Sequence, residues 1–388
     1  MYLSTGTALR AFYFLFYGFY GVILPYLPIW LASRGLDRDT VGVVIAAAFL
    51  PKILSQPLFA HYADKTGQYR RLMLLVLTIT IGVLALFALG HAPAWLLFLT
   101  LTVHFFVPAV MPLMDRAALA QMTQTGTSQY AQIRLWGSLG FAVCSLAGGM
   151  LIDRAGANGV LTLGVLLALG CVAICRHLPA AEMTGAEDMV AGTSAHGRWP
   201  VLDILRDRRV MGCIVASALV QASNGYLYSF ASLYWVGHGL TLSQIGALWT
   251  VGIASEVFFF MQARKILARV SATHLIVLSA VMTTIRWTAL SMTHAWLPIA
   301  AFQLLQGFTL AGNNMAIMAF LAQTVRADIR TTAIALYTML SAGVFMFGSV
   351  QAVNAAGAAI TGWGFGGMAI CAALAIPIVL VTQRRRGQ

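Results

Sequence analysis

Twelve long apolar stretches, each bounded by polar residues or by Gly and Pro, constrain what this chain of 388 residues can fold into. They run at about 8–33, 41–63, 72–90, 94–118, 132–152, 158–176, 210–236, 243–263, 272–293, 296–323, 332–355 and 358–381. A bilayer-spanning helix needs about 20 apolar residues, and in lipid a backbone that is not helical must close into a barrel to satisfy its hydrogen bonds. The stretches therefore predict an all-α integral membrane fold with twelve transmembrane helices and short loops. Charged residues make up 9% of the chain and hydrophobic ones 60%, whereas a soluble domain is about a quarter charged. No soluble enzyme domain fits. The first stretch lacks the basic segment, short apolar core and small-residue cleavage site of a signal peptide, so it is expected to be retained as a span.

Lysine and arginine set the orientation. Of the 24, Lys52 and Arg286 lie inside spans, Arg34, Arg38 and Arg154 lie on one side, and the remaining nineteen lie on the other. Cytoplasmic connections carry the positive excess, so both termini are expected on the cytoplasmic side of a cytoplasmic (inner) membrane. The net charge of +12 is spread over separate connections rather than one continuous face, which fits topology and not nucleic-acid binding. The longest connection, 177–209, is polar from Glu182 to Arg198 and amphipathic from Pro200. It is expected to be a cytoplasmic linker between a six-helix bundle at 1–176 and a second at 210–388. All five cysteines fall in apolar stretches, where Cys acts as a small hydrophobe. Cys171 and Cys175 are one helical turn apart, but no His or further Cys completes a metal set. Neither a metal nor an organic cofactor is expected.

The second half repeats the first. An offset of 204 residues places Gly21 on Gly225, Gly35 and Leu36 on Gly239 and Leu240, and Gly42 on Gly246. Leu119-Ala120-Gln121 recurs as Leu321-Ala322-Gln323 at an offset of 202. Parallel six-helix repeats bind substrate near the bilayer midplane between the halves. Charges within spans are costly and mark pathways or coupling sites. Lys52 lies near the middle of the second stretch, and the offset maps it onto Glu256 of the eighth. Either these opposite charges face a central cavity, or they form a buried pair that fixes one conformation. Arg286 is the other deep cation and belongs to the same half as Glu256. Asp115 and Arg134 flank the connection between the fourth and fifth stretches, placed to pair either at a site or as ordinary interfacial charges. Tyr13, Tyr17 and Tyr20 share one side of the first stretch, Gln221, Asn224 and Tyr228 one side of the seventh, and Gln303, Gln306 and Asn313 one side of the tenth. Such stripes either join helices or line a cavity.

Asp64-Lys65-Thr66-Gly67, followed by Arg70 and Arg71, resembles the loop signature of the major facilitator superfamily, with Ala60 in place of its leading Gly and Gln68 in place of a basic residue. The resemblance implies two pseudo-symmetric six-helix bundles and a cytoplasmic gating latch at Asp64, Lys65, Gly67, Arg70 and Arg71. Tyr130-Ala131-Gln132-Ile133-Arg134-Leu135-Trp136-Gly137-Ser138, joined by Gly252-Ile253-Ala254-Ser255-Glu256-Val257 and Ile285-Arg286-Trp287, resembles the phenylpropionate permease family and, more distantly, the lactose permease group. That resemblance runs along nearly the whole chain. It implies that Asp115, Arg134, Glu256 and Arg286 line the central site, with Lys52 matching a basic position of the permeases. The tenth stretch departs from the lactose permease group, having Asn313 and Asn314 where that group carries His and Glu for proton handling. Protonation is then expected elsewhere.

These readings converge on a proton-coupled symporter that imports a small aromatic carboxylate, such as 3-phenylpropionate, by alternating access. Lys52, Arg134 and Arg286 outnumber Asp115 and Glu256, which leaves one positive charge for a substrate carboxylate. Tyr17, Tyr20 and Trp287 are the expected ring contacts, and Gln221, Asn224 and Asn313 the expected polar lining. Glu256 is expected to carry the coupling proton, because apolar surroundings favour a neutral carboxyl, with Asp115 as its competitor nearer the cytoplasm. The alternatives are a proton-coupled sugar or nucleoside symporter, a drug-efflux antiporter and a non-transporting membrane sensor. Deep cations disfavour export of lipophilic cations, and the lack of a soluble signalling domain disfavours a sensor. The expected partners are an anionic small molecule and the lipid bilayer, and the chain is expected to act as a monomer.

Overall fold

The computed structural model describes residues 4–125, 128–178, 204–357 and 363–384. These residues are helical almost throughout, and no strand occurs among them. The spans are α1 (Thr5–Ser33), α2 (Arg38–Thr66), α3 (Tyr69–Leu89), α4 (Pro93–Arg116), α5 (Gln132–Ala155), α6 (Gly159–Cys175), α7 (Arg208–Ser229), α8 (Leu242–Met261), α9 (Ala272–Ser291), α10 (Trp296–Thr324), α11 (Ile329–Ala355) and α12 (Trp363–Thr382). Eleven of them are long and apolar enough to cross a membrane; α6, apolar and 17 residues long, meets the lower limit of about 17. Of the linker expected at 177–209, residues 179–203 lie outside the described residues, as do the side chains of Leu119, Ala120, Gln121, Tyr130 and Ala131.

The chain packs as two compact units, one of Met1–Thr184 with Ser229–Thr250, the other of Gly185–Tyr228 with Val251–Gln388. Helix starts follow local sequence, with Ser4, Asp207 and Ser271 accepting first-turn N–H groups of α1, α7 and α9. Thr241 and Gln244 form a reciprocal box at the start of α8, with Thr241 N donating to Gln244 Oε1 at 2.9 Å and Gln244 N to Thr241 Oγ1 at 3.2 Å. The sequence offset is visible in the backbone. Gly35 and Gly239 have φ of +88° and +89°, left-handed values that an L side chain rarely adopts, and each is followed by a buried leucine, Leu36 and Leu240.

In the first unit α1 crosses α5 at backbone contact. A Cβ on Gly21 would lie 2.5 Å from Phe141 O, and one on Gly140 would lie 2.0 Å from Phe14 O, so only glycine admits this crossing, the small-residue contact by which membrane helices associate. The same unit holds the first half of α8 against α1 and α5. Tyr26 Oη donates to Ser145 O at 2.7 Å and to Leu242 O at 3.2 Å. Asp153 of α5 accepts from Leu242 N, Ser243 N and Ser243 Oγ at 3.0, 2.9 and 2.5 Å, capping α8 from a neighbouring helix. The span α2 is interrupted: Arg38–Ala47 ends in a turn, and the helix restarts at Pro51–Thr66. In the second unit, Ile214 of α7, Leu275 and Ile276 of α9 and Ile317 of α10 are fully buried in one core.

Candidate functional site

The second unit gathers its deep polar groups at an irregularity in α10. That span runs regularly over Trp296–Gln303, loosens, winds as a π-helical turn over Gly307–Gly312, and resumes at Asn313–Thr324. Such turns recur at functional sites. Ser255 of α8 fixes this one: its Oγ accepts from Gly307 N at 2.9 Å and donates to Leu304 O. Gln306 then reaches the next residue of α8, with Nε2 donating to Glu256 Oε1 at 2.6 Å, while its Oε1 accepts from an Arg286 NH group of α9 at 2.6 Å. A guanidinium has only donors, so Arg286 dictates which way the amide points, and Gln306 must offer N–H to Glu256. Arg286 also donates to Gln303 Oε1 and to Thr309 Oγ1, the latter at 3.4 Å, and lies over the Trp287 ring at 4.2 Å. It is fully buried, whereas Glu256 is half-buried. A Cβ on Gly252 would lie 2.5 Å from Gln306 Oε1, so the glycine makes room for the amide. Gln303 and Gln306, three apart on one helix face, are a sequence signal for this pair; the Ser255 bond has none, because it depends on the irregular backbone of α10.

Of the other expected residues of this unit, Asn313 and Trp287 tie helices together, whereas Asn224 bonds within α7. Asn224 Nδ2 donates to Gln221 O at 3.1 Å, and Asn313 Nδ2 donates to Ser217 O at 2.9 Å, joining α10 to α7. Trp287 Nε1 donates to Ser223 Oγ at 2.9 Å, and its ring stacks on Phe365 at 5.8 Å. Asn224, Asn313 and Trp287 are buried, and Gln221 is half-buried.

In the first unit Lys52 follows Pro51 in the first turn of the restarted half of α2, an end that no side chain caps. Helix N-termini carry partial positive charge, so the ammonium adds to that charge instead of opposing it. Lys52 is half-buried, its Nζ lies 5.1 Å from the Phe49 ring centroid, and no salt bridge to it occurs among the described residues. His104 of α4 is within electrostatic range. Tyr17 stacks on Tyr13 at 6.1 Å, and Tyr20 meets Phe16 edge-on at 5.4 Å. Asp115 and Arg134 do come together: Arg134 NH1 lies 3.7 Å from Asp115 Oδ1, which also accepts from Tyr13 Oη at 2.5 Å.

The loop signature forms a cluster at the end of α2. Gly67, at φ +68°, terminates the helix with its N–H on Ala63 O at 2.8 Å. Asp64 accepts from Tyr69 Oη and pairs with Arg116 at 3.3 Å, and Arg70 donates to Leu178 O at 3.0 Å. Arg71 reaches Gln68 Oε1 at the long distance of 3.5 Å, and Lys65 is exposed.

Residues 7–370 match the MFS_1 like family. The chain belongs to that family. It is 28% identical over 321 residues to the "probable 3-phenylpropionic acid transporter" of Escherichia coli (strain K12), covering 82% of each chain. It is 26% identical over 390 residues to the maltose permease of Geobacillus stearothermophilus, covering 98% of this chain and 95% of that one. In fold it is similar to the nucleoside transporter NupG, with a TM-score of 0.83, 15% identity, and 98% and 99% of the two chains covered. This MFS chain is a multi-pass membrane protein and a secondary transporter, not an enzyme, with the superfamily's two pseudo-symmetric six-helix bundles.

Proposed function

We propose that this transporter is a proton-coupled symporter that imports a small aromatic carboxylate such as 3-phenylpropionate by alternating access, in a cytoplasmic membrane with both termini on the cytoplasmic side. Lys52 carries the reading. Secondary transporters bind anionic groups at the N-termini of interrupted helices, and the restart of α2 at Pro51 sets such an end and an ammonium side by side. Tyr17 and Tyr20 of the same unit supply aromatic surface for the ring. Glu256 carries the proton: its partner is the neutral Gln306 amide, so gaining or losing a proton breaks no direct ion pair. Arg286, held by Gln303, Gln306 and Thr309, acts by aligning that amide. Asp115, tied to Tyr13 and Arg134, and the cluster of Asp64, Lys65, Gly67, Arg70 and Arg71 belong to gating. The similarity to the E. coli protein supports the carboxylate.

A second reading, a proton-coupled sugar or nucleoside symporter, is favoured by the amides Gln221, Asn224, Gln303 and Gln306 and by the similarity to a maltose permease over nearly the whole chain. Uptake into proteoliposomes under an inward proton gradient separates the two. On the carboxylate reading, 3-phenylpropionate uptake saturates, a protonophore abolishes accumulation, Lys52→Gln raises KM about tenfold, the loss expected for one charge-assisted hydrogen bond, and Glu256→Gln exchanges substrate without accumulating it. Maltose or a nucleoside competing as well as the carboxylate, with Lys52→Gln unaffected, would overturn it in favour of the second reading.

A further inference from the structure

At the end of the second unit where α7 and α9 begin and α10 and α12 finish, a cavity of about 370 Å³ lies between the four helices. Its polar lining is Arg209, Ser271, Thr273, His274, Gln323 and Thr324, and its apolar lining includes Val277, Phe320 and Val379. Mostly apolar walls with a few convergent polar groups are the usual form of small-ligand sites, which run from about 300 to 1,000 Å³. Arg209 lies with its guanidinium carbon 5.7 Å from the Phe320 ring centroid, its Nε is buried without a hydrogen-bond partner, and it forms no salt bridge among the described residues. The carboxylate nearest in sequence, Asp207, is engaged by the N–H groups of Arg209 and Val210 at 2.9 and 3.1 Å. Ser271 Oγ lies 2.6 Å from His274 Nδ1, which leaves Nε2 as the uncommitted nitrogen of that ring. Arg264, Lys265 and Arg269 shortly precede Ser271 in sequence, so the surroundings are cationic.

We propose that this cavity binds the phosphate of an anionic phospholipid headgroup. Arg209 is the counter-charge; Thr273, Thr324 and, with the Ser271 hydroxyl donating to Nδ1, His274 Nε2 are further hydrogen-bond donors; and the apolar wall receives the glycerol and the upper acyl chains. Basic pockets between membrane helices bind anionic headgroups through this combination, and charge-assisted bonds from guanidinium to phosphate are the strong component. A free phosphate ion would meet the same donors but leave Val277, Phe320 and Val379 facing water, which is why the lipid is the source argued.

The test uses the purified full chain in detergent, read by unfolding temperature and by native mass spectrometry of retained lipid. Phosphatidylglycerol should raise the unfolding temperature by about 5 °C and remain bound, whereas phosphatidylcholine with the same acyl chains should do neither. Arg209→Gln should weaken phosphatidylglycerol retention about tenfold, and Arg264→Gln, at the same end but outside the lining, should leave it unchanged. His274→Ala, expected to weaken retention about threefold, carries the test if Arg209→Gln does not fold. Equal retention of the two lipids, or full retention by the lining variants, overturns the site. A full temperature shift with inorganic phosphate alone overturns the lipid as its occupant.

Discussion

Replacing Gln306 with Leu isolates the bond that links the two charges of the second unit. The substitution keeps the volume of a buried side chain and removes two interhelical hydrogen bonds, each 2.6 Å long and each to a charged group. Hydrogen bonds to charged groups contribute about 1.5–3 kcal/mol, but interhelical bonds within membranes average only about 0.6 and reach about 1.7 kcal/mol, because helices separated in lipid find other partners. Taking the upper membrane value for each bond gives a loss of about 3 kcal/mol. Thr283→Val removes a neutral bond of 3.1 Å to Thr309 in the same neighbourhood and should cost about 0.6 kcal/mol. Unfolding in mixed micelles measures both. A double-mutant cycle with Glu256→Gln then separates the amide's bond to the carboxylate from its bond to Arg286, with a coupling of about 1.5 kcal/mol expected. The link through Gln306 is refuted if Gln306→Leu costs no more than Thr283→Val, or if the cycle shows no coupling.

Two further outcomes follow from the helix caps. Asp153→Ala removes the carboxylate that caps α8 from α5 and should cost about 1 kcal/mol, with amide exchange accelerated at Leu242 and Ser243 and not across the rest of α8; unchanged exchange there would sink it. Asp37 precedes α2, outside the spans, and hydrogen bonds from the Thr40 side chain and backbone hold its carboxyl below the usual range. Its contribution is therefore fully present above the unfolded value of about 3.9 and is lost as pH falls through the depressed one. Exchange at Thr40, corrected for the intrinsic rate, should rise only in acid, and a rise that begins near neutrality would contradict the assignment.

The spans were legible because apolar length is what a bilayer demands. The tenth stretch, expected at 296–323, is Trp296–Thr324, and the ninth, expected at 272–293, is Ala272–Ser291. The interruptions within spans were not. Ala48, Phe49 and Leu50 are as apolar in a turn as in a helix, and Pro51 is acceptable in the first turn of a new helix, so the break in α2 leaves the hydropathy pattern intact. The π-helical turn of α10 is hidden in the same way, since Gly307–Gly312 contains no charge and no proline. Deep charges were legible because they are rare in lipid, and Asp115 with Arg134 was readable as a pair. The partners of Glu256 and Arg286 were harder. Opposite charges in one half suggest a direct ion pair, whereas an amide from a third helix stands between them.

The repeat sharpens the contrast between the two halves. The offset of 204 maps Lys52 onto Glu256, but the two helices that carry them differ. α2 breaks immediately before Lys52, whereas α8 runs unbroken over Leu242–Met261 with Glu256 in its interior. A carboxylate in mid-helix meets no free backbone N–H, because each is committed within the helix, so it must be solvated by a side chain, and Gln306 supplies that donor. A lysine at a helix start has the reverse problem. Pro51 has no N–H and Ile53 N donates to Leu50 O at 3.1 Å, so the ammonium is the strong donor left at this end, and no carboxylate among the described residues lies within ion-pair distance of Lys52. Glu256 thus has its hydrogen-bond partner built into the chain, while the Lys52 ammonium has no ion-pair partner among the described residues. In the proposed cycle the substrate carboxylate is that partner, and the same register position would then serve proton transfer in one half and anion binding in the other.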